Sequence, residues 1–149
     1  MGSTLTFHVI HIIFSTKLRQ PFITDAAAPR LYPYLGGIAR HRQCDLLAVG
    51  GMPDHIHLLM SIHPVVALAD LVRDLKANSS RLMHEELAIA EFAWQTGYAA
   101  FSVSKSGVDT VRAYIGSQRE HHATRSFSDE LVDFLRRHDI TYDERYILT

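Results

Sequence analysis

Apolar positions along the chain switch between a period of two and a period near 3.6, and the switches set the expected order of elements. Thr4 to Thr16 is rich in Phe, Val, Ile and Thr and predicts a first strand. Ala26 to Gln43 reads as a helix after an Asp25 cap, with Pro33 and Gly36-Gly37 marking a kink. Asp45 to Val49 and His55 to Ile62 are apolar runs separated by Gly50-Gly51-Met52-Pro53-Asp54, which predicts an antiparallel hairpin with a long turn. The clearest helix follows. Leu68, Leu71, Val72, Leu75, Ser79 and Leu82 form its apolar stripe, and Arg73, Lys76, Ser80, Arg81 and His84 lie opposite. Ala100 to Ser104 is a short strand, a helix runs from Gly107 or Val108 to His122, and a last helix from near Ser128 to near His138 carries Glu130 in its first turn. Strand-helix-strand-strand-helix-strand is the ferredoxin-like, split βαβ order. The expected fold is therefore α+β: an antiparallel sheet with helices mainly on one face, plus C-terminal helices.

Composition narrows the class. A chain of 149 residues with 47% hydrophobic and 21% charged content fits one globular domain over residues 1–149. No linker, repeat or low-complexity stretch divides it. No apolar run approaches the length of a membrane span, so no membrane partner is expected. The N-terminus lacks the pattern of a secretory signal, and a single cysteine, Cys44, suits a reducing compartment. A cytoplasmic location is the expectation. The net charge of −1 argues against coating nucleic acid through bulk charge but leaves room for a local basic face.

Two short motifs carry candidate chemistry. In Asp54-His55-Ile56-His57, a strand places both imidazoles on one face and Ile56 on the other. In Tyr114-Ile-Gly-Ser-Gln118, a helix places Tyr114 and Gln118 one turn apart on one face. Two imidazoles and an amide oxygen can hold a divalent metal, and a nearby tyrosine can attack what that metal polarises. Each half alone has a plainer reading. Ten histidines in the chain make one His-x-His pair unsurprising, and a buried Tyr or Gln is often simply hydrogen-bonded to backbone. A glutamine on the stripe of Val111, Ile115 and His122 nevertheless needs a partner, at a cost of about 1–3 kcal/mol if it has none.

Taken together, these residues resemble the transposases of the IS200/IS605 type, single-tyrosine members of the HUH endonuclease superfamily, named for a His-hydrophobic-His motif. His55-Ile56-His57 matches that motif, and Val111-Arg-Ala-Tyr-Ile-Gly-Ser-Gln118 is similar to the tyrosine helix. Val9 to Lys17 resembles the opening strand, Lys76 to Ser80 the second helix, and Phe92 to Ser104 a distinctive segment after it. His121-His122 and Ile140 to Tyr146 are similar to the C-terminal part.

The resemblance implies a divalent cation, Mg²⁺ or Mn²⁺, on His55, His57 and Gln118, with Tyr114 as nucleophile. It implies a 5′-phosphotyrosine intermediate that stores the phosphodiester energy, so no nucleotide cofactor is needed. It also implies single-stranded DNA with a hairpin as substrate, and a homodimer whose tyrosine helix acts on its own or its partner's site. For DNA contacts, the residues themselves suggest Arg73, Lys76 and Arg81 on the second helix, and Lys17 and Arg19 after the first strand. Trp94, Tyr98 and Phe101 fit core or dimer packing better than base stacking. Three rival readings stay open: a domesticated hairpin-processing relative, a non-catalytic nucleic-acid-binding regulator on the same fold, and a replication initiator or relaxase. The last kind takes its third metal ligand from another histidine or an acid.

Overall fold

Alternation along the first strand decides the architecture. In β1 (Val9–Ser15), Ile10, Ile12 and Phe14 face one side and Val9, His11, Ile13 and Ser15 the other, and all seven residues are buried. A strand buried on both sides has to be central and covered twice. The computed structural model describes residues 2–147 and shows this arrangement. After β1 come α1 (Ala28–His41), β2 (Asp45–Met52), β3 (His55–Ser61), α2 (Leu68–Glu85), β4 (Ala99–Val103), α3 (Val108–Gly116), α4 (Gln118–His122) and α5 (Phe127–Arg137). The four strands form one antiparallel sheet in the order β2-β3-β1-β4, as the split βαβ order requires.

The two faces of the sheet have different characters. On one, Ile10, Ile12 and Phe14 of β1 and Ile56, Leu58 and Met60 of β3 pack against Leu31 and Leu35 of α1 and Leu71, Val72 and Leu75 of α2. Burial of each such side chain contributes on the order of 1.5–3 kcal/mol, so this face holds the main core. The other face carries two smaller apolar clusters. Ile13 and Phe101 meet Phe127, Leu131 and Leu135 of α5, and Val9 and Leu59 meet Val108 and Ile115 of α3. The buried histidines His11, His55 and His57 share this second face. The C-terminal helices therefore close a polar site against the sheet.

Several boundaries differ from the sequence expectation, for local reasons. β1 begins at Val9, because residues 4–8 are exposed and have no strand partner. Asp25 does not cap α1; the cap position is Ala27, with a proline in the first turn, and Asp25 instead pairs with Arg119. The helix expected to run unbroken to His122 is two helices. Ser117, at φ −111° and ψ 29°, breaks it, and its hydroxyl bonds back to the carbonyls of Ala113 (3.0 Å) and Tyr114 (3.2 Å).

The largest difference is functional. Gly50 and Gly51 lie inside β2, not in a turn, so the hairpin loop shrinks to Pro53-Asp54. A Cβ on Gly50 would come within 2.4 Å of the Ile115 carbonyl oxygen, which makes glycine the condition for α3 to lie directly on β2. That approach brings Tyr114 and Gln118 toward β3. Gly50→Ala should therefore lower the melting temperature by about 3–8 °C, the shift expected for overpacking worth about 1–3 kcal/mol. It should also weaken divalent-metal binding, because α3 carries the site with it. An unchanged melting temperature in a thermal scan would refute this reading of the glycine.

Candidate active site

β3 sets the site. Because Ile56 turns into the main core, His55 and His57 both face the C-terminal helices, each 0% exposed. Buried imidazoles need partners at both nitrogens, and those partners fix which atom points inward. His55 donates from Nδ1 to Asp54 Oδ1 at 2.8 Å, leaving the Nε2 lone pair toward the site. His122, on α4, donates from Nδ1 to the Arg125 carbonyl at 2.7 Å and likewise turns Nε2 inward. Gln118 donates its Nε2 to the Tyr114 carbonyl at 3.4 Å, which orients its Oε1 into the same space. Gln118 Oε1 lies 3.2 Å from His55 Nε2 and 3.1 Å from His122 Nε2.

Into this space α5 inserts Glu130, which is 1% exposed. Its Oε1 accepts from His57 Nε2 at 2.9 Å and lies 3.6 Å from His55 Nε2. Its Oε2 lies 3.3 Å from His122 Nε2 and accepts the hydroxyl proton of Tyr114. Burial pushes the Glu130 carboxyl up, but hydrogen bonds and charge from His57, the Tyr114 hydroxyl and His55 outweigh it and hold the group down at about 2. The same carboxylate acts in reverse on Tyr114. Burial first, and then Glu130, raise the phenol above its ordinary range, so the resting nucleophile candidate is a protonated phenol.

His55 Nε2, His122 Nε2, the Gln118 oxygen and the Glu130 carboxylate all converge on one buried space, where each can offer a lone pair to a cation. Their separations of 3.1–3.6 Å are close to the spacing of about 3 Å between neighbouring ligands at about 2.1 Å from one small ion. His55, His122 and Glu130 each offer a ligand atom, all within 4.8 Å of one another. The donor set fits a divalent cation. It differs from the expected trio of His55, His57 and Gln118: His122 and Glu130 join, and His57 currently gives its Nε2 proton to Glu130.

His11 explains how His57 can change roles. Its Nε2 sits 2.8 Å from His57 Nδ1, and burial, reinforced by His57, pushes its pKa down to about 3, so it is neutral. A neutral imidazole can give or accept in that bond. His57 can therefore carry its proton at Nδ1 and keep its bond to His11 when a cation takes its Nε2. Asp54 serves His55 in the fixed orientation.

His11, His122 and Glu130 are residues that spacing arguments pass over. For Glu130 a signal existed: it falls on the α5 stripe of Phe127, Leu131 and Leu135, where an acid needs a reason. His11 faces the same side as His57 by the simple two-residue alternation of neighbouring strands.

The candidate DNA contacts divide between the two faces. Lys17 and Arg19 are exposed on a 3-10 turn after β1. Arg19 lines a cleft of about 440 Å³ that also touches Asp54, His122, Arg125 and Phe127, at the edge of the site. Arg73, Lys76 and Arg81 lie on α2, across the sheet. Arg73 pairs with Asp70 at 3.2 Å and Arg81 contacts Asn78. Lys76 holds the segment before β4, donating to the carbonyls of Gln95 (2.9 Å) and Gly97, and burial lowers it to about 8. Trp94 and Phe101 pack inside: the Trp94 indole donates to Ser79 at 2.9 Å, and Phe101 belongs to the α5 cluster. Tyr98 is exposed.

The model of the family described as "Transposase IS200 like" matches residues 4–118, a span that includes the histidine pair, Tyr114 and Gln118. The chain is 30% identical over 116 residues to the ISDra2 transposase TnpA of Deinococcus radiodurans, covering 74% of this chain and 83% of that one. It is 25% identical over 116 residues to the IS200 transposase of Salmonella typhimurium, covering 74% and 76%. A crystal structure of a transposase assignment from Deinococcus radiodurans superposes with a TM-score of 0.64 at 28% identity, covering 79% of this chain and 96% of that one. A REP-associated tyrosine transposase solved with a REP hairpin shares the fold, with a TM-score of 0.61 at 12% identity over 82% and 74% of the two chains. No helix among the described residues is long and apolar enough to cross a membrane. With a ferredoxin-like sheet, a His-Ile-His strand and a tyrosine helix packed on it, this chain belongs to the IS200-like transposases.

Proposed function

We propose that this transposase cuts and rejoins single-stranded DNA at hairpin-marked ends in the cytoplasm, with Tyr114 as nucleophile. One observation carries the reading: the Tyr114 hydroxyl, the imidazoles of His55, His57 and His122, and Gln118 meet around one carboxylate within a single chain. The phenolic oxygen would attack the scissile phosphorus, the bond to the 3′ oxygen would break, and the departing 3′ oxygen would take up the phenol's proton, leaving a 5′-phosphotyrosine beside a free 3′-hydroxyl. The reverse attack by another 3′-hydroxyl restores a phosphodiester and returns the phenol, so no ATP is consumed.

His55 and His122, with the Gln118 oxygen, would hold a divalent cation, with Glu130 completing the set while no DNA is bound and His57 joining once its proton shifts toward His11. Such an ion supplies Lewis-acid neutralisation of the charge that grows on the phosphate. So imidazole-rich a set favours Mn²⁺ over Mg²⁺. The chain's own residues do the rest. Asp54 and His11 orient the imidazoles, Gln118 ties the site to the Tyr114 backbone, and Phe127, stacked on His55 with centroids 4.2 Å apart, keeps water from that ring. A homodimer belongs to the proposal, each copy bringing one Tyr114 to one DNA end.

A hairpin substrate is supported by the bound REP hairpin in the structural relative. DNA would enter along the Lys17–Arg19 side, where exposed cations border the site. Arg19→Glu should weaken binding of a single-stranded oligonucleotide across sequences and lower the salt slope by about one ion, measured by fluorescence anisotropy against salt concentration. Arg73→Glu, on the far face and already paired, should change it less. The opposite ranking would move the DNA path to α2. The reading as a whole is tested by incubating the protein with hairpin-bearing single-stranded DNA and Mn²⁺. A covalent protein–DNA band on a denaturing gel is expected, and its absence on every hairpin substrate would overturn the proposal.

A further inference from the structure

Glu130 raises a question that the reaction scheme leaves open. Its carboxylate touches the nucleophile hydroxyl and His57 Nε2, and lies 3.3 Å from His122 and 3.6 Å from His55. A scissile phosphate needs the same neighbours: the phenolic oxygen on one side and the cation-holding imidazoles on the other. Both anions cannot occupy one buried space, and Glu130 is 1% exposed.

We propose that Glu130 is a positioning residue whose carboxylate holds the place of the scissile phosphate in the DNA-free protein, and that it withdraws with α5 when DNA enters. The proposal rests on the assignment of Tyr114 as nucleophile. While Glu130 is in place, it holds the Tyr114 hydroxyl and the His57 Nε2–H on one acceptor, so the site is preorganised, and it shields the phenol from other electrophiles. Its withdrawal removes the acceptor of the Tyr114 proton and opens the position that the phosphate takes.

The fold makes such a movement inexpensive. α5 is held on the sheet by the small cluster of Ile13, Phe101, Phe127, Leu131 and Leu135, well apart from the main core on the other face. Elements with few buried apolar partners are those that open first. At the surface, Arg19 donates to Ser128 Oγ at 3.0 Å, in the first turn of α5. A DNA phosphate that engages Arg19 competes for that bond, so DNA arriving at the cleft loosens the same turn that holds Glu130.

The test uses the full chain with phenyl phosphate as the probe, at Mn²⁺ concentrations that saturate each protein. Calorimetry should show Glu130→Gln binding phenyl phosphate at least about tenfold more tightly than wild type, because the competing charge is gone. Equal or weaker binding by a folded Glu130→Gln would make Glu130 a fixed part of the site and overturn the proposal. If that variant does not fold, hydrogen exchange on the wild type decides. Amides of α5 should exchange faster with Mn²⁺ and phenyl phosphate than with Mn²⁺ alone, while those of α1 and α2 stay unchanged, and unaltered α5 protection would refute displacement. The two readings fail separately. A covalent DNA adduct with α5 still protected removes the displacement and leaves the nucleophile, whereas α5 release without any adduct does the reverse.

Discussion

Tyr114→Phe should abolish both strand cleavage and the covalent protein–DNA species, while DNA affinity stays within a few-fold of wild type. The substitution removes one oxygen and keeps the ring, which packs 5.8 Å from His57 and 4.4 Å from His121 between centroids. From sequence alone the exchange reads as nearly neutral for stability. The structure changes that expectation, because the lost hydroxyl donates to buried Glu130. Removing a donor from a buried carboxylate costs about 1–3 kcal/mol, so the melting temperature should fall by about 3–8 °C. A thermal scan and a cleavage assay on one preparation separate the two effects. Residual adduct in the Phe variant would assign the chemistry to another tyrosine, with Tyr142 and Tyr146 the next to examine.

The second large effect concerns the cation. His55→Ala and His122→Ala should each weaken Mn²⁺ binding more than about 100-fold, since each removes a nitrogen that already faces the site. Asp54→Ala leaves all donors present but releases His55 from its 2.8 Å hydrogen bond. A loss of about 10–100-fold is the usual consequence of removing such an orienting partner. Gln118→Ala should reduce affinity less, because the imidazoles remain, and cleavage should recover as Mn²⁺ is raised. Calorimetric titration gives the ranking. Mn²⁺ affinity unchanged in both histidine variants would dismiss the cation site, and an effect of Asp54→Ala larger than that of His55→Ala would contradict the assigned roles.

Much of this was legible before any coordinates. The order of elements followed from hydrophobic periodicity, and the shared face of His55 and His57 from the two-residue period alone. What periodicity cannot show is distance across the chain. Gly50-Gly51 reads locally as a turn, and only the Ile115 carbonyl lying against Gly50 reveals it as a place where a helix rests on a strand. Tyr114 and Gln118 were readable as neighbours on a helix, but the break at Ser117 depends on a hydroxyl bonding to its own backbone. Lys76 looked like a free cation on a polar face. Its two carbonyl partners come from the segment before β4, which no helical wheel includes. Glu130 was visible as a first-turn acid, a position that helix electrostatics alone explains, so its contact with Tyr114 across α3 and α5 had no sequence signature beyond its place on an apolar stripe.

As nucleophile, Tyr114 would become covalently joined to the 5′ side of a cut strand. Mass spectrometry of the protein–DNA adduct, after nuclease and protease digestion, should find a nucleotide linked through its 5′ phosphate to the peptide containing Tyr114, formed only with divalent metal. A nucleotide on any other residue, or a 3′-phosphate linkage, would contradict that assignment.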